Sequence, residues 1–103
     1  MVNKITNNDF NGVKGSEIAL VDYSATWCGP CRMVAPVVEE LSEEYAGKVA
    51  FFNADVDDNG ALAQSAGITN IPALAIYKNG ERVAMKVGFS PKPVLKEWID
   101  SVI

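Results

Sequence analysis

Histidine is absent from this chain, and cysteine occurs only twice. Without histidine there is no side chain whose ordinary pKa lies in the neutral range, and no imidazole to bind a metal. Tetrahedral zinc usually takes four Cys or His ligands, so a zinc site would need dimerisation or carboxylates beside the two thiolates. Basic charge is also scarce: nine Lys and Arg against thirteen Asp and Glu leave a net charge of −4. The nine are scattered along the chain, so no nucleic-acid partner is expected. No apolar run approaches membrane-spanning length, so no membrane partner is expected either. Met1 to Asn8 has no apolar h-region and does not read as a secretory signal. A cytoplasmic location follows as the expectation, and in a reducing compartment a close pair of cysteines reads as redox-active. Apolar residues make up 49% of the 103 and charged residues 21%, which suits one folded domain over residues 1–103 and a monomer.

The two cysteines stand in Trp27-Cys28-Gly29-Pro30-Cys31. Just before it, Ile18 to Ala25 is apolar except for Asp22 and Ser24, and short enough for a buried strand. Just after it, Met33, Val34, Val37, Val38, Leu41 and Tyr45 recur at helical spacing. The thiols therefore sit at a strand-to-helix turn, with Pro30 suited to the first helical position because its missing N–H would have no partner there. Free N–H groups and the positive end of the helix dipole favour a thiolate at that place. Cys28, before the first turn, is expected to be the exposed nucleophile, and Cys31, inside the turn, the resolving thiol. A static disulfide would close so small a loop that it stabilises little.

The rest of the chain reads as β-α-β-α-β, a short helix, a hairpin and a closing helix. Val2–Thr6 is an edge strand and Phe10–Lys14 a short helix with cap candidates at Asn7 to Asp9, ended by Gly15. The cysteine helix runs from Pro30 to Ala46 and stops at Gly47, with a kink expected at Pro36. Val49–Asp55 is a strand parallel to the first. Asp55 to Gly60 matches the first half of a calcium loop, but the closing twelfth position, which should be a bidentate Glu, is Ala66. Acidic caps for a helix over Gly60–Ala66 are the better reading. Asn79-Gly80 between Ala73–Lys78 and Arg82–Val87 signals a hairpin. Ser90 caps, and Pro91 opens, a last helix whose apolar face is Val94, Leu95, Trp98, Ile99 and Val102.

Asp22 stands in the middle of an otherwise apolar strand. Alternation puts it on the same face as Leu20 and Ser24. There it lies under the cysteine helix, where burial raises its pKa towards that of a general acid–base at neutral pH. Its expected task is to take the proton of Cys31.

The motif at 27–31, the strand aspartate Asp22, the helix proline Pro36, Ile71-Pro72 and Val87-Gly88, in this order, resemble the thioredoxin family over the whole chain. The resemblance implies an α/β thioredoxin fold, a central five-stranded mixed sheet flanked by four helices, with a cis Ile71–Pro72 bond beside the dithiol. It implies a groove for substrate formed by Trp27, Gly29, Pro30, Ile71, Pro72 and Gly88, in which the Ile71 backbone pairs with the client as a strand would. It also implies a redox-active Cys28–Cys31 disulfide with no bound cofactor or metal, protein clients carrying disulfides, and a thioredoxin-reductase-like partner. Three positions depart from the familiar pattern: Ser24 where an aromatic is common, Asn53 where a lysine often neighbours the aspartate, and Ala73 after the proline in place of threonine. None removes a reacting group. The expected function is reduction of client protein disulfides. The alternatives are a non-catalytic binding or scaffold module, and a disulfide oxidase or isomerase on the same fold. Gly29-Pro30 resembles the spacer of the reducing members.

Overall fold

The apolar segment ahead of the cysteines becomes the central strand of the molecule. The computed structural model describes residues 1–103. In chain order the elements are Val2–Ile5 (β1), Asn11–Lys14 (α1), Ile18–Ser24 (β2), Gly29–Glu44 (α2), Ala50–Asp55 (β3), Gly60–Ser65 (α3), Ala73–Lys78 (β4), Glu81–Val87 (β5) and Lys92–Val102 (α4). They form one mixed sheet in the order β1-β3-β2-β4-β5. β1 and β2 both run parallel to β3, while β4 is antiparallel to β2 and to β5. β1 is an edge strand, as its sequence predicts. No helix is long and apolar enough to cross a membrane.

Strand alternation divides the core in two. Leu20 packs with Val34, Val38 and Leu41 of α2 and with Leu95 and Ile99 of α4. Val21 and Tyr23 point the other way, towards Val13 of α1 and towards Leu62 of α3 and Ala66 at its end. Full burial of a Leu or Val side chain stabilises by about 1.5–3 kcal/mol, so Leu20 and Val21, with the buried Tyr23, outweigh any local propensity in fixing the register of β2.

The boundaries differ from the sequence reading where several start signals compete. Asp9 does not cap α1 as an ordinary N-cap. Phe10 holds that position, and Asp9 Oδ1 accepts from the Asn11 N–H at 3.0 Å instead. α2 ends at Glu44, before Gly47, which takes φ +83° in the turn. The cap of α3 is Asn59 rather than an acidic residue, and its side chain bonds elsewhere. Pro91, not Ser90, is the cap of α4, and Val94 lies off its buried face, 44% exposed. Asn79 and Gly80 both take positive φ, +53° and +82°, as the two-residue hairpin turn requires.

Candidate active site

The first turn of α2 leaves its N–H groups without intrahelical partners, and Cys28 supplies one. It occupies the N-cap in extended conformation, and its Sγ accepts the Cys31 N–H at 3.2 Å. Gly29 takes the first helical position and Pro30 the second, one place later than the sequence suggests and still inside the turn where a missing donor costs nothing. Cys28 and Cys31 are joined as a disulfide with their Cα atoms 5.3 Å apart. The expected exposure of Cys28 is corrected: it is only 6% exposed against 3% for Cys31. Ile71 and Val56 pack against the pair and cover it. Trp27, 67% exposed, and Pro30 are the exposed members of the motif.

A second chain segment meets the disulfide. The Ile71–Pro72 bond is cis, and the Ile71 carbonyl oxygen lies 3.9 Å from Cys28 Sγ. Gly88, at φ +91°, donates its N–H to the Pro72 carbonyl at 2.8 Å. That conformation favours glycine. Hence Cys28, Ile71, Pro72 and Gly88 form one connected rim, although Gly88 stands 57 positions beyond Cys31 in the chain. Neither backbone group of Ile71 is hydrogen-bonded to another part of the backbone.

The acidic turn that mimics a calcium loop serves the motif instead. Asp57 Oδ2 accepts the Trp27 indole N–H at 2.9 Å, and Asp55 Oδ1 accepts the Asp57 N–H at 2.9 Å. Composition at 55–60 shows an acidic turn but not its target thirty residues upstream, so Asp57 escapes sequence reasoning.

Asp22 is 2% exposed and lies under α2. With Cys31, Asn53 and Lys4 it lines a cavity of about 240 Å³, which places the carboxyl and the inner cysteine on one small space. Burial raises its pKa from the ordinary 3.8 to about 6, opposed in part by the Asn53 amide. Asn53 Nδ2 lies 3.4 Å from Asp22 Oδ2, 3.2 Å from the Asp22 carbonyl oxygen and 2.8 Å from Ser24 Oγ. Asp22 Oδ1 has no hydrogen-bond partner. The carboxyl is thus half satisfied rather than unpartnered. Lys4 pairs in register with Asn53, and Asn53 with Asp22, so a cation stands two strands away on the same face.

The thioredoxin family model matches residues 1–101. A thioredoxin from Staphylococcus epidermidis is 46% identical over 97 residues, covering 94% of this chain and 93% of that protein. One from Staphylococcus aureus is 45% identical over the same shares of the two chains. With the five-stranded sheet, the four helices and the disulfide at the start of α2, these likenesses leave one assignment: the chain belongs to the thioredoxin family.

Proposed function

We propose that this thiol–disulfide oxidoreductase works as an electron carrier, reducing disulfides of client proteins through Cys28 and Cys31. In the reduced form Cys28 is the nucleophile, since the Cys31 N–H and the helix dipole favour its thiolate. Its attack breaks the client S–S bond, forms a Cys28–client mixed disulfide and expels one client sulfur as a thiolate. Cys31 then yields its proton to Asp22 across the cavity they share and attacks Cys28 Sγ. The second client sulfur leaves and the Cys28–Cys31 disulfide closes. Two electrons pass to the client, whose two thiolates take up protons, one of them returned by Asp22 and the other from solvent. A reductase of the thioredoxin-reductase kind restores the dithiol. The electrons travel in the disulfide itself, so the reading calls for no bound cofactor and no metal.

Clients are read as lying along Trp27, Gly29, Pro30, Ile71, Pro72 and Gly88, with the unpaired backbone of Ile71 taking the client as an added strand. The protein is taken to act as one domain, residues 1–103, as a monomer and in the cytoplasm. The Gly29-Pro30 spacer, which resembles that of the reducing members, supports the reducing role over the oxidising one.

The observation that carries the reading is the sulfur of Cys28 at the helix cap, receiving an N–H, with a buried carboxyl beside the second cysteine. A binding scaffold has no need of that arrangement. Steady turnover of a model protein disulfide, with a reductase and its electron donor supplied, tests it. Binding without turnover would instead support the scaffold, and faster oxidation of reduced protein than reduction of oxidised protein would support the oxidase.

A further inference from the structure

A second cleft, of about 630 Å³, opens on the face of the sheet opposite α2, where α1, α3 and the β4–β5 hairpin meet. That volume is in the range of small-molecule sites. Its floor is aromatic. The Tyr23 and Tyr77 hydroxyls are 2.6 Å apart, and the Phe10 ring stands edge-on to Tyr77 at a centroid distance of 5.1 Å. Leu62 closes one wall.

The two hydroxyls carry two protons, and their mutual hydrogen bond uses one. Tyr23 is 0% and Tyr77 5% exposed, and neither hydroxyl has any other partner. One buried O–H donor is therefore left over, on residues that line the cleft. Burial raises both phenol pKa values, so that proton stays in place at neutral pH.

The mouth is basic. Lys14 ends α1 and makes no ion pair. Arg82 stands opposite Tyr77 in the hairpin, and its Nη1 donates to the Ala66 carbonyl at 2.6 Å, which fixes the guanidinium there. The hairpin turn also packs close to Lys14: a Cβ at Gly80 would meet Lys14 Cα at 3.4 Å. None of the residues lining the cleft is acidic, in a chain with thirteen Asp and Glu. A buried donor and two cations converge on an apolar floor.

We propose that this cleft binds a small amphipathic anion, an aromatic or apolar body bearing one carboxylate. The body rests on Phe10, Leu62 and the Tyr77 ring. Tyr23 donates to Tyr77, and the carboxylate accepts from the Tyr77 O–H and pairs with Lys14 and Arg82. The site is separate from the Cys28–Cys31 disulfide and does not depend on its chemistry.

Titration of isotope-labelled protein with naphthoate, followed by NMR, tests the site. The amides of Lys14, Leu62, Ala66 and Arg82 should shift saturably, with a dissociation constant on the order of 1 mM for a ligand of this size. Naphthyl methanol, with the same body and no charge, should bind at least about tenfold more weakly. Lys14→Met should weaken naphthoate about threefold and leave the alcohol unaffected, without changing disulfide turnover. Tyr77→Phe should weaken naphthoate about tenfold. If that variant does not fold, Lys14→Met with the alcohol as control decides alone. Absence of saturation at these amides, equal binding of acid and alcohol, or shifts confined to the surroundings of Trp27 and Pro72 would overturn the proposal.

Discussion

At Asp22 the fold holds a carboxyl where an apolar side chain would carry no desolvation cost. Its pKa is raised in the folded state, so the stability it contributes is fully present below about pH 3.8 and is lost as pH rises through about 6. Ionisation then costs the fold about 3 kcal/mol. Asp22→Asn should therefore raise the unfolding free energy by about 2–3 kcal/mol at pH 8 and by much less at pH 4, read from urea melts at the two pH values. The same variant should leave the first attack by Cys28 nearly intact and slow the resolution of the mixed disulfide, seen in rapid-reaction kinetics. An Asp22→Asn protein less stable at both pH values and normal in resolution would make the aspartate a structural residue. Asn53 works against burial through its amide at 3.4 Å from the carboxylate. Removing it with Asn53→Ala should move the Asp22 pKa further above 6, which carboxyl NMR titration would report, and an unchanged titration would show that the amide does not stabilise the charged form.

The elements show where sequence patterns suffice and where they stop. The β2–α2 pair and the hairpin are legible because their signals are local: a short apolar run, helical spacing, Pro30 in the first turn and Asn79-Gly80. α4 is legible in its buried Leu95 and Ile99 but not in its start, since Pro91 and Pro93 both suit positions where no N–H is needed. Asn59 could not be read at all. It is 0% exposed, and its side chain joins three segments, accepting from the Asn8 N–H at 2.9 Å and donating to the carbonyls of Ile5 at 2.9 Å and Asp55 at 3.0 Å. Two of these partners are more than fifty residues away, and no periodicity announces such a contact. Asn59→Ala leaves buried backbone groups unpaired, and denaturant unfolding should show a loss of about 2–3 kcal/mol. A loss below about 0.5 kcal/mol would mean that water replaces all three bonds. The glutamates of α2 tell a similar story. Sequence alone shows like charges four apart, but Lys92 of α4 pairs with both Glu40 and Glu44. These are surface pairs, so they relieve repulsion and add little beyond it.

At the scale of the molecule, the sheet separates two kinds of site. One face carries α2, with the disulfide at its N-terminus and Asp22 beneath it. The other carries the basic-mouthed cleft over the tyrosine pair. The cysteine motif and Asp22 could be picked out of the chain by residue type and spacing, and Ile71-Pro72 only through the resemblance to the thioredoxin family. That Asp57 tethers Trp27, and that the cover over Cys28 leaves it nearly as buried as Cys31, came only with the tertiary structure. The central claim is the order of the two sulfurs, and trapping measures it most directly. Cys31→Ser and Cys28→Ser variants, each reduced, would be mixed with a disulfide-bearing protein and the adducts analysed by mass spectrometry without reductant. Cys31→Ser should accumulate a mixed disulfide through Cys28, because the first attack proceeds and resolution cannot, and Cys28→Ser should give essentially none. Adducts on Cys31 in the Cys28→Ser protein, with none on Cys28 in the other, would contradict the assignment.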